Sequence, residues 1–134
     1  MHPPLITATY LAVLGLVYAV LSVRVIQLRR GHRIGFGHGE NSTLRGAIRA
    51  HAHFAEYVPL ICLMIGALEM FGAPAVQLHA LLGTLVIARL LHPFGLQAKP
   101  GTAQFLLGRV LGMVLTLFVL IASALMILRQ TLLL

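Results

Sequence analysis

A chain of 134 residues is long enough for one domain, but its composition is not that of a soluble one. Hydrophobic residues make up 59% and charged residues only 10%, against roughly 25% charged in soluble domains; mean hydropathy is +0.94. The net charge of +7 is explained by membrane topology rather than by nucleic acid, and the single cysteine, Cys62, excludes an intrachain disulfide.

A bilayer-spanning helix needs about 20 mostly apolar residues. Residues 5–23 and 110–128 are uncharged runs of this kind. Between them lie 57–71, interrupted by Glu69, and 75–96, interrupted by Arg89. The reading is one all-α domain, an integral membrane four-helix bundle, with helices at about 5–30, 43–71, 75–96 and 102–129. Residues 1–4 carry no basic side chain and no small-residue cleavage site follows, so the first run is expected to stay as a helix. Asn41, Ser42 or Thr43 can cap the second helix. Gly72 and Pro74 turn the chain into the third. Pro93 kinks or ends the third helix, and the KPGT stretch turns into the fourth.

Arg29, Arg30, Arg33 and Arg45 lie in or beside the first loop, and Lys99 lies in the third. The positive-inside rule then expects both of these loops in the cytoplasm and both termini outside. Arg129 is the basic residue on the wrong side of that rule. His2, His32 and His38 are isolated and read as solvated; Glu69 and His79 are close enough in the second hairpin to pair.

The stretch IRAHAHFAEYVPL, residues 48–60, looks at first like a metal site. On a helix, however, His51 and His53 point about 200° apart and cannot chelate one ion together. Arg49, His53 and Glu56 share a face, with Tyr57 on its edge, and an arginine argues against a cation. No metal is expected. Arg24, Glu56, Arg89 and Arg109 come from four different helices and fall at similar depth from the loop end. Ionisable groups in a membrane helix are costly and seek partners. Arg89 has Glu56 as a possible ion-pair partner, and His92 shares its side of the third helix. Three arginines against one glutamate leave surplus positive charge, which suits a cytoplasm-facing pocket for a small polar anion.

These residues resemble a known group. RAHAHFAEYVPL is similar to the signature of the MAPEG family, membrane-associated proteins of eicosanoid and glutathione metabolism: Arg49, Ala50, Glu56, Tyr57, Pro59 and Leu60 match. ARLLH, Ala88 to His92, resembles the family's third-helix motif, and VIQLRR its basic end of helix 1. The resemblance implies a homotrimer with glutathione bound between subunits near the cytoplasmic face. By position Arg49, Glu56 and Tyr57 would hold it, with Arg29 or Arg30, Arg89 and His92 completing the site. Arg109 is the nearest counterpart of the arginine that stabilises the glutathione thiolate. His53 stands where the family usually carries asparagine, and would offer one donor or acceptor there. The third-helix tyrosines of leukotriene-forming relatives are absent.

The implied chemistry is transfer of glutathione, or peroxide reduction, on a small apolar electrophile arriving from membrane lipid, in the inner or cell membrane. A nearby cation lowers a thiol's pKa from about 8.5. A non-catalytic lipid-binding or scaffold protein of the same fold is the alternative, and a small transporter a weaker one.

Overall fold

The computed structural model describes residues 3–133, so His2 lies outside the described residues. Helix α1 spans Leu5–His32, α2 Ser42–Met70, α3 Ala75–Gly95 and α4 Gly112–Leu132. A π-helical segment, Phe105–Leu111, runs directly into α4. Successive helices are antiparallel, and no strand occurs among the described residues. Four spans, the last being Phe105–Leu132, are long and apolar enough to cross a membrane.

The helix ends follow from local chemistry. Asn41 caps α2: its side-chain oxygen accepts from the Leu44 amide at 2.8 Å. Gly72, at φ +83°, turns the chain between α2 and α3 in a backbone conformation that favours glycine. Thr102 closes the turn before the π-helical segment by accepting from the Phe105 amide at 3.2 Å. Pro93 lies within α3, which continues to Gly95 rather than ending at the proline.

The start of α1 corrects the expectation for Glu69. Pro4 offers α1 no side-chain cap. Glu69, from the far end of α2, accepts instead from the Ile6 and Thr7 amides, each at 2.8 Å, and from the Thr7 hydroxyl at 2.7 Å. The Leu5 and Ala8 amides reach the Pro3 and Pro4 carbonyls. All four first-turn N–H groups are thereby paired, as a helix start in lipid requires. A carboxylate at a helix N-terminus also meets the favourable end of its dipole. His79 does not pair with Glu69; its Nδ1 meets the Tyr10 hydroxyl at 3.2 Å.

The core is built chiefly by α2 and α3. Phe54, Val58, Ile61, Ile65 and Leu68 recur every three or four residues along α2 and meet Leu78, Leu82 and Leu85 of α3. Helix α1 buries only Thr7, Leu14 and Leu21. Apolar side chains such as Leu16, Val20 and Ile121 lie exposed on the outside, which suits a chain whose surrounding solvent is lipid. Cys62 is a buried packing residue.

Candidate functional site

The site lies at the end of the bundle that carries the two longer loops. Its geometry begins with a close crossing of α3 and the π-helical segment. A Cβ on Gly95 would collide with the backbone of Gly108 and Arg109, and one on Gly108 with the backbone of Gly95. A Cβ on Gly112 would lie 3.1 Å from the Ala88 carbonyl oxygen. Glycine lets the backbones touch here, as small residues spaced by four do in membrane helices. The π-helical segment covers this crossing. Such segments insert an extra residue into a helical turn and recur at functional sites. Arg109 belongs to that segment; its guanidinium lies over the Phe105 ring, 5.3 Å from the centroid.

Beside the crossing is a cavity of about 730 Å³ between the start of α2 and the α3–α4 connection. Arg45, Arg49 and His53 line it from α2, Lys99 from the connection, and Arg109 from the π-helical segment. No carboxylate is among its lining residues. The cavity is therefore strongly cationic, and its guanidiniums are suited to carboxylate or phosphate groups.

A hydrogen-bonded chain leads inward from it. Arg49 Nη2 donates to His53 Nε2 at 2.7 Å, because a guanidinium has donors only. His53 therefore accepts at Nε2 and donates from Nδ1 to His92 Nε2 at 2.9 Å. His92 then carries its own proton on Nδ1, which is buried without a partner among the described residues. Tyr57 stands edge-on to the His53 ring at 6.4 Å. His51 turns the other way, stacking on Tyr18 at 4.6 Å and meeting the Ser22 hydroxyl at 3.1 Å.

The ionisable residues placed at one depth do not form one cluster. Arg89 is only 1% exposed. Its Nη2 donates to the Gly112 carbonyl at 3.3 Å and to the Thr116 hydroxyl, while Nε and Nη1 have no partner among the described residues. It makes no ion pair with Glu56, the partner that shared depth made possible. Glu56 is exposed, two residues and so about 200° from the buried Phe54 on α2. Arg24 is likewise exposed on α1. Arg29 donates to the carbonyls of Ile34, Gly35 and Gly37, and Arg30 is exposed beside it; neither lines the cavity. Of the candidate residues, Arg49, His53 and Arg109 meet at one cavity, and His92 joins through His53.

The MAPEG family model matches residues 7–129 of this chain. The chain belongs to the MAPEG family. Inner membrane protein YecN of Escherichia coli strain K12 is 32% identical over 91 residues, covering 68% of this chain and 70% of YecN. The protein of the same name from Escherichia coli O6:H1 aligns to the same extent. No solved structure matches the chain with significance. The MAPEG chain is thus a membrane protein with four membrane-spanning-type helices, similar to a bacterial inner membrane protein.

Several parts of this candidate site carry no signal in the sequence. Arg45 and Lys99, whose charge topology alone explains, both line the cavity. Thr116, the partner of Arg89, gave no signal beyond its place eight residues after Gly108 on the same helix face. The spacing Gly108, Gly112, Thr116 was the visible trace of the helix crossing.

Proposed function

We propose that this MAPEG protein is a glutathione-dependent membrane enzyme of transferase or peroxidase type. The carrying observation is the convergence of Arg49, His53 and Arg109 on one cationic cavity without a lining carboxylate. Glutathione brings two carboxylates and one ammonium. Arg49, with Arg45 and Lys99 around it, pairs with the carboxylates. Arg109 stands by the sulfur and favours the thiolate without itself transferring a proton. His53 replaces an amide side chain and keeps Arg49 oriented through their hydrogen bond.

Glu56, Arg29 and Arg30 lie off the cavity of a single chain. The proposal assigns them to a site between subunits of a homotrimer, where Glu56 takes the ammonium and the arginines of a neighbour close the pocket. Tyr57, Arg89 and His92 back the binding groups. The acceptor is a small apolar electrophile or hydroperoxide that reaches the thiolate from membrane lipid. The basic loops face the cytoplasm and both termini face away.

Calorimetry of the purified protein with glutathione tests this reading, together with turnover of apolar electrophiles and hydroperoxides. Saturable binding lost in Arg49→Ala and Glu56→Ala, with turnover lost in Arg109→Ala, is the expected result. Absence of binding in the parent protein refutes it. Binding with no turnover favours a non-catalytic lipid-binding or scaffold role for the same fold. Crosslinking that yields no trimer overturns the intersubunit assignment.

A further inference from the structure

The loop between α1 and α2 has an organisation of its own that the glutathione reading leaves unused. Arg33, at φ 55°, ends α1 in the left-handed conformation. The guanidinium of Arg29 then holds the Gly37 carbonyl at 3.0 Å, so the loop folds back to the level of the last turn of α1. Gly39, at φ 51°, makes room for Ile34: a Cβ there would lie 2.9 Å from Ile34 Cδ1. These contacts leave Phe36 98% exposed. Arg30 and Arg33 are exposed a few residues before it in the chain and, with Arg29, Ile34 and Gly35, line a shallow depression of about 340 Å³. Between residues 29 and 45 there are four arginines and one acid, Glu40.

Depth decides what such a surface meets. The uncharged run of α1 ends at Val23, and about 20 residues fill the hydrocarbon core. Arg29 lies five residues beyond Arg24, or ~7.5 Å along the helix. That is the depth of the phospholipid headgroups, since the interfacial zones bring a bilayer to about 40–45 Å in all. A free phenyl ring in water gains nothing, but at this depth it removes its apolar surface from water while the guanidiniums reach phosphates. A fully exposed apolar ring on the same short loop as the cations selects a lipid over a soluble anion.

We propose that the α1–α2 loop is a phospholipid clamp, in which Arg30 and Arg33 bind the phosphate of an anionic phospholipid and Phe36 inserts at the level of its headgroup and glycerol. The inference stands apart from the glutathione reading; Arg29, which holds the loop, and Arg30 are common to both, so the test uses Arg33 and Phe36.

The chain has no tryptophan, so Phe36→Trp introduces a single tryptophan, excited selectively over the three tyrosines, into the full-length protein. It is reconstituted in phosphatidylcholine vesicles with or without phosphatidylglycerol, either lipid being brominated. Blue-shifted emission, quenched several-fold more by brominated phosphatidylglycerol than by brominated phosphatidylcholine at equal content, is expected. Adding Arg33→Asn, which tolerates the left-handed turn, should lower that preference about fivefold, and Arg33→Lys should keep most of it. Thermal unfolding matching the parent confirms that the variants fold. Water-like emission unquenched by either lipid overturns the clamp, as does equal quenching by both. Release of the phosphatidylglycerol preference by millimolar inorganic phosphate overturns the assignment to lipid.

Discussion

Glu69 and Arg89 are both charged residues buried at helix contacts, yet their surroundings are opposites. Glu69 is 8% exposed, and its two oxygens accept three hydrogen bonds from the first turn of α1. Arg89 is 1% exposed, and two of its three nitrogens have no partner among the described residues. A satisfied buried charge ties the bundle together. A half-satisfied one is costly and marks an end of the molecule shaped for something other than stability. The hairpin end, around Glu69, is therefore structural. The loop end, around Arg89 and the cationic cavity, holds the candidate chemistry.

Mutations at the two ends should separate these roles. The largest effect on stability is expected for Glu69→Ala, which strips charge-assisted bonds from three donors in lipid. A loss of about 3 kcal/mol should appear as a lower midpoint of thermal unfolding in detergent, with glutathione affinity unchanged in the folded fraction. Gly108→Ala should come next, at about 2 kcal/mol, because its Cβ meets the Gly95 backbone. This variant should also weaken glutathione binding by displacing Arg109, so it joins the two properties that Glu69→Ala keeps apart. Arg49→Ala should leave the unfolding midpoint nearly unchanged and weaken glutathione binding by at least about 2 kcal/mol, the scale of one charge-assisted hydrogen bond, enough to take saturable binding out of the calorimetric range. Arg89→Met is the sharpest probe of the contrast. Replacing an unpaired buried charge with an apolar chain of similar length should leave stability equal or higher by about 1 kcal/mol, while binding falls. A large loss of stability in Arg89→Met would erase the distinction between the ends. The smallest effect is expected for His53→Asn, which restores the usual family residue and breaks the link to His92. Glutathione affinity should change less than about fivefold, within ~1 kcal/mol.

The helices were legible because lipid makes a simple demand: long apolar runs broken by Gly, Pro and capping residues. Asn41 and Gly72 act where their chemistry placed them. The fourth span was read as a plain helix from about residue 102; in the structure it begins with a π-helical segment. That segment coincides with a contact between Gly95 and Gly108, which are distant enough in sequence that no local pattern links them. The opposed histidines were also legible, since 100° per residue sends His51 to α1 and His53 to α3. Glu56 is a possible partner for Arg89 on the ground of shared depth alone. Depth counts residues along each axis and says nothing about rotation, and rotation turns Glu56 outward and Arg89 inward.

By itself, the sequence determined the membrane character, the four spans and the resemblance to the MAPEG family, because each rests on residue type and spacing along one chain. The partners of its charges were decided only by tertiary structure. Glu69 closes α1 rather than meeting His79, Arg89 turns to Thr116 rather than Glu56, and Arg45 and Lys99 join Arg49 and Arg109 around one cavity. The physical reason is that a buried charge takes whichever unsatisfied group the helix packing brings to it, and that packing is set by glycine contacts and apolar faces far from the charge in sequence.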